Sequence, residues 1–170
     1  ERTVILNGCS KAYAMTGWRI GWAVTKSREM AQALEKLIIN DVSCTNTPTQ
    51  FAALEALTGP QDAVARMRDE YKKRRDLLVA LVKEIPGMSC LAPLGAFYLF
   101  VNVKPILEKL KCTASQFSDR VMREAHVVIL PGTSFGAHGE GYVRFSYVSS
   151  EADIREGVKR LKEFVEKLGG

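Results

Sequence analysis

The stretch NGCSKAYAMTGWRIGW, residues 7–22, joins the apolar run TVIL (3–6) to WAVT (22–25). Val4–Leu6 and Gly21–Thr25 read as short buried strands, yet the loop between them carries Lys11 and, eight residues on, Arg19. A deprotonated lysine amine can attack a carbonyl, which a guanidinium cannot do. Lys11 stands just past a strand, where ligands of open α/β sheets gather. Arg19 offers a planar fork of donors suited to a phosphate. Gly8, Gly17 and Gly21 let the backbone turn tightly and come close to a ligand. Two loop cations alone are more often solvated surface charges, so the rest of the chain has to decide between the two readings.

Outward from this loop, 46% of the 170 residues are apolar and 25% charged, which calls for a packed soluble core. The opening residues ERTVIL run from charge straight into a strand and read as the interior of a longer chain. No apolar run reaches transmembrane length, so no membrane partner is expected. The net charge of +5 is concentrated at Lys72, Lys73, Arg74 and Arg75, one turn after Asp69 and Glu70. That spacing reads as a solvated helix face, and without interleaved aromatics no nucleic-acid partner is expected. Cys9, Cys44, Cys90 and Cys112 form no C-x-x-C pair and His126 and His138 have no metal-like neighbours, so no metal site is expected. The cysteines read as small core residues in a reducing compartment, which points to the cytoplasm.

Helical spacing runs from Ser27, a natural N-cap, to Asn40. TNTPTQ (45–50) reads as a second start, with Thr47 as N-cap, Pro48 at the first helical position and Gln50 closing a capping box. From Gln61 to Glu84, Val64, Met67, Tyr71, Leu78, Leu81 and Ile85 follow a seven-residue pattern broken only at Arg74, as a helix bridging two domains would. Pro86-Gly87 ends it. A strand is expected at Phe97–Val103, a capping box at Thr113 and Gln116, strands at VVIL (127–130) and YVRFSYV (142–148), and a last helix capped by Ser150. Strands alternating with helices make this an α/β chain.

GCSKAYAMTGWRIG (8–21) closely resembles the pyridoxal-phosphate attachment segment of class I/II (fold type I) aminotransferases. The constrained positions Gly8, Cys9, Ser10, Lys11, Ala14, Met15, Gly17, Arg19, Ile20 and Gly21 all fit that pattern. The resemblance implies that Lys11 is the catalytic lysine, holding pyridoxal 5'-phosphate as a Schiff base, and that Arg19 binds its phosphate. Where many members carry a hydroxyl residue three before the lysine, this chain has Gly8, so Ser10 is the expected substitute donor. VVILPGTSFGAHGEGYVRFSYVSS (127–150) is similar to the family's C-terminal segment, which implies that Arg144 holds the substrate carboxylate. Alternation agrees, since Val143, Phe145 and Tyr147 share one strand face and Arg144 the other. PLGAFYLFVNV (93–103) resembles the entry to the small domain, where Gly95 and Ala96 would border the cleft, and TNTPTQ resembles a segment near the dimer interface.

On this resemblance, residues 1–62 are the end of the cofactor-binding large domain, 63–86 the bridging helix and 87–170 the small domain. The implied activity moves an amino group between an amino acid and a 2-oxo acid, in a homodimer. Aspartate is the expected donor, with aromatic amino acids, alanine and prephenate as alternatives. The family's aromatic stacking ring, acidic partner for the pyridine nitrogen and backbone phosphate donors would lie before Glu1, so these 170 residues alone are expected to be inactive. A lyase of the same fold, or the ligand domain of a transcription regulator, remains an alternative.

Overall fold

The computed structural model describes residues 3–168, and the chain divides between Met67 and Arg68 into two compact units. In the first, β1 (Val4–Gly8) pairs antiparallel with β2 (Gly21–Thr25), with Val4 opposite Thr25 and Gly8 opposite Gly21. The connection holds α1 (Cys9–Ala12) and a 3₁₀ turn, Thr16–Trp18. α2 (Arg28–Asp41) starts where expected, the Ser27 side chain accepting from the Met30 N–H. α3 (Thr47–Thr58) corrects the reading of TNTPTQ, because Asn46 is the N-cap and accepts from the Thr49 N–H at 3.0 Å. Thr47 is already helical. Gln50 does not close a capping box; its Nε2 donates to the Thr45 carbonyl instead.

The strands expected to be buried are not. Ile5 is 58% and Leu6 75% exposed, and among the described residues of this unit only Cys9, Thr49 and Ala53 are buried. Consecutive apolar residues on a strand point to opposite faces, and a two-stranded ribbon cannot cover both.

α4 (Asp62–Lys83) leads into the second unit. Its seven-residue pattern holds, with Leu78 and Ile85 buried in the core and Tyr71 and Leu81 packed against it. The basic cluster on α4 is not a uniformly solvated face. Arg74 pairs with Glu70 at 3.0 Å and donates to the Val148 carbonyl at 2.8 Å. Arg75 pairs with Asp76 and donates to the Pro93 carbonyl at 3.2 Å. The two arginines therefore staple the helix to distant loops, while Lys72 and Lys73 stay exposed.

β3 (Ser89–Cys90), β4 (Tyr98–Asn102), β5 (Leu130–Pro131) and β6 (Tyr142–Ser146) form an antiparallel sheet in the order β3-β4-β6-β5. Between β4 and β5 lie α5 (Lys104–Leu110), α6 (Ala114–Arg120) and a π-turn, Val121–Ala125. α7 (Glu151–Lys167) follows β6 from its Ser150 cap. The expected capping box is present on α6, with Thr113 and Gln116 bonding each other's backbone N–H. Leu99 and Val101 of β4 and Val143 and Phe145 of β6 face a core completed by Val82, Phe117, Leu161 and Phe164. VVIL is not the expected strand, as only Leu130 joins the ladder and Val128 is 74% exposed. His126 leaves the π-turn in a left-handed conformation, and Pro131 has no N–H with which to extend pairing.

All four cysteines are free; Cys9 is buried and Cys90 and Cys112 pack half-buried against the core, but Cys44 is exposed, so the reading as small core residues is corrected for Cys44. Burial pushes the Cys90 and Cys112 thiols above their usual range. No helix among the described residues is long and apolar enough to cross a membrane.

Phe117 is completely buried, so Phe117→Ala should cost about 3–5 kcal/mol in urea unfolding followed by circular dichroism. The shifted cap on α3 gives a finer contrast. Asn46→Ala should cost about 1 kcal/mol, whereas Thr47→Ala should leave the unfolding midpoint nearly unchanged.

Candidate functional site

The loop of the first unit is built around a close backbone approach. A Cβ on Gly8 would lie 2.9 Å from the Ile20 carbonyl oxygen, and one on Gly21 2.7 Å from that of Asn7. With the backbone as it lies here, neither position has room for a side chain, so Gly8, where many members of the family carry a hydroxyl residue, fits this loop as glycine. Gly17 differs, having open space around it, so its glycine is not required by packing. The Cys9 N–H donates to the Ile20 carbonyl at 3.2 Å, which pins the first residue of α1 to the entry of β2. Lys11 follows on that short helix. Ala14 (φ 52°) and Arg19 (φ 53°) are both left-handed, a conformation that non-glycine residues adopt at a cost and that clusters at functional sites.

Asn7, Gly8, Ser10, Lys11, Arg19 and Gly21 are among the residues lining one cavity of about 520 Å³. Ser10 is half-buried, and Lys11 and Arg19 are exposed. The Arg19 guanidinium donates through Nη1 to the Thr16 carbonyl at 2.8 Å, a local bond that directs the side chain back over its own turn. The three residues singled out for cofactor binding thus border one space. Asn7 also lines it and was missed. Its Oδ1 accepts from the Gly8 N–H at 2.8 Å, a contact that no spacing rule announces.

Arg144 belongs to the second unit. Val143, Phe145 and Tyr147 are buried on the core side of β6, and Arg144 is half-buried on the other, opposite Phe100 of β4. Its guanidinium carbon lies 4.1 Å from the centre of the Tyr98 ring and 4.0 Å from that of Phe135. Among the described residues the guanidinium makes no hydrogen bond or ion pair, so its in-plane donors are available to an anion. The two ring contacts were not anticipated: Tyr98 is 46 residues before Arg144, and Phe135, although in the same quoted segment, lies on a turn whose folding back was not read. Gly95 and Ala96 sit in an exposed turn, where Ala96 is left-handed (φ 60°) and its carbonyl accepts from the Tyr147 hydroxyl at 2.9 Å. This hydrogen bond gives the turn a structural role.

The profile of the family Aminotransferase class I and II matches residues 1–161. Asparagine–oxo-acid transaminase of Streptococcus mutans is 37% identical over 168 residues, spanning 98% of this chain and 42% of that protein. The crystal structure of the aspartate aminotransferase from Rhizobium meliloti superposes with a TM-score of 0.90 at 36% identity, over 98% of this chain and 42% of that one. The aromatic aminotransferase from Pyrococcus horikoshii superposes with a TM-score of 0.89, also at 36% identity, over 98% and 44%. The chain thus spans about two fifths of the length of the relatives it matches. A match over nearly the whole chain, together with the lysine-bearing loop, means that it belongs to the aminotransferase class I and II family.

Proposed function

We propose that this chain is the later portion of an aminotransferase in which Lys11 is the catalytic lysine, Arg19 and Ser10 bind the cofactor phosphate and Arg144 binds the substrate carboxylate. On this reading residues 1–62 belong to the cofactor-binding domain, 63–86 to a connecting helix and 87–170 to the small domain. The observation that carries it is the convergence of Ser10, Lys11 and Arg19 on one cavity.

Enzymes of this family use pyridoxal phosphate, and the donor set of the cavity suits that molecule: a primary amine for an aldehyde, and a guanidinium and a hydroxyl for a phosphate. When bound, the cofactor supplies the electron sink for chemistry at the amino acid's Cα. The chain's own groups divide the remaining work. The Lys11 amine would hold the cofactor through its aldehyde carbon and, once released by the amino acid, would take up the proton that leaves the substrate Cα. The Arg19 guanidinium and the Ser10 hydroxyl donate to the phosphate, which anchors the cofactor by its tail. The Arg144 guanidinium orients the substrate by donating two parallel N–H bonds to its carboxylate. Aspartate as amino donor belongs to the same reading, supported by the likeness to aspartate aminotransferases; a homodimeric assembly is part of the proposal on the family resemblance alone. The relatives' names also carry asparagine and aromatic amino acids, which are the alternatives for the donor.

Borohydride reduction in the presence of pyridoxal phosphate should fix the cofactor's mass to the peptide bearing Lys11, read by mass spectrometry. Lys11→Arg should abolish that label, and a label elsewhere would remove Lys11 from the role. Arg19→Ala should weaken binding of pyridoxal phosphate roughly 10- to 100-fold, the worth of hydrogen bonds to a charged group. Binding of pyridoxal, which has no phosphate, should change little, and an equal loss for both would show that Arg19 does not read the phosphate.

A further inference from the structure

The surroundings of Arg144 assign work to two residues beyond the arginine itself. A guanidinium is flat, and its five N–H donors all point outward in its own plane. Tyr98 and Phe135 each lie about 4 Å from the guanidinium carbon, well within cation–π range. Among the described residues no Tyr98–Phe135 ring pair accompanies these contacts, so each ring meets the guanidinium separately. Rings stacked on the faces of a guanidinium leave its N–H edge for an anion.

The rings are themselves held. Tyr98 precedes Phe100 by two residues on β4, so both share the sheet face that carries Arg144. Tyr98 packs on Phe97 with ring centres 4.6 Å apart. Phe135 closes a 3₁₀ turn, Gly132–Phe135, in which Gly132 packs so tightly on the Gly139 backbone that a Cβ on either would overlap the other's carbonyl. Phe100 meets Phe135 edge-on at 6.5 Å and stacks on Tyr142 at 5.2 Å. The outer face of the sheet is thus an aromatic frame with one cation set into it.

We propose that Tyr98 and Phe135 are positioning residues that fix the guanidinium plane of Arg144, so that its N–H edge receives a carboxylate lying in that plane. The inference rests on the reading of Arg144 as the carboxylate-binding arginine and deepens it. The rings strip water from the faces of the guanidinium and limit its rotation, so the carboxylate binds to an ion already oriented. Their loss therefore weakens binding of the amino acid without touching the atoms that react.

The test uses the complete protein that carries this chain, loaded with pyridoxal phosphate, with whichever of aspartate, phenylalanine and alanine it turns over best. Phe135→Leu and Tyr98→Leu should each raise KM roughly three- to thirty-fold, the range set by a cation–π contact, with kcat held near the wild-type value. Phe135→Tyr keeps a ring and should restore KM, and it also guards against a Leu variant that loses its thermal unfolding transition. Arg144→Lys, which keeps the charge and loses the plane, is the reference and should raise KM at least as much. If Arg144→Lys raises KM while neither ring variant does, the positioning role is overturned and the role of Arg144 stands. Should Arg144→Lys leave KM unchanged, the carboxylate reading fails and takes this inference with it. A fall in kcat at constant KM in the ring variants would also overturn it.

Discussion

The ladder between β4 and β6 is the constraint on which the second unit depends. Its register sets Leu99 against Phe145 and Val101 against Val143, and all four side chains enter the core. Because side chains alternate along a strand, the same register sets Arg144 against Phe100 on the opposite face. A slip of one residue would send the guanidinium into the core and expose the valine and phenylalanine. Burying an unpaired cation there is prohibitive. The apolar core and the placement of Arg144 are therefore outcomes of one pairing choice.

In the first unit the corresponding constraint is the approach of two glycine backbones. Gly8 and Gly21 sit opposite each other, and the space a Cβ would need is filled by carbonyl oxygen. This contact sets where β1 stops and where Cys9 is tied to the Ile20 carbonyl, so it fixes the origin from which the Lys11 helix leaves. The loop then returns through left-handed turns at Ala14 and Arg19. Ser10, Lys11 and Arg19 border one cavity because the chain between them is short and doubly kinked.

What the sequence made legible was mostly local. Ser27, Thr113 with Gln116, and Ser150 could be read as caps because each bond closes within three residues of its donor. The lysine and arginine of the loop were readable for the same reason, as their spacing is short and the glycines beside them are constrained. TNTPTQ misled because Asn46 and Thr47 can both cap a helix, and the choice turns on which backbone N–H is nearer. VVIL failed as a strand because strand length is set by the partner, and β6 offers it only two positions before Gly132 turns away. The exposure of Ile5 and Leu6 was invisible to a reading of hydropathy, which records what a residue prefers and not what stands beside it. Phe135 lies in the same quoted segment as Arg144, but that the two touch, and that Tyr98 joins them, is decided only by the fold.

The uneven distribution of buried side chains has a thermodynamic consequence. All of the core cluster comes from residues after Arg68, while the described residues before it contribute three buried positions outside that cluster. Resistance to opening scales with such burial, so the second unit carries a core of its own, while the first leaves apolar faces that, on the reading of this chain as the later portion of an aminotransferase, the rest of that protein would cover. Lys11 and Arg19 lie in the first of these units and Arg144 in the second. On that reading the loop would draw its support from the rest of the larger protein, whereas the frame around Arg144 stands on a core built from its own unit.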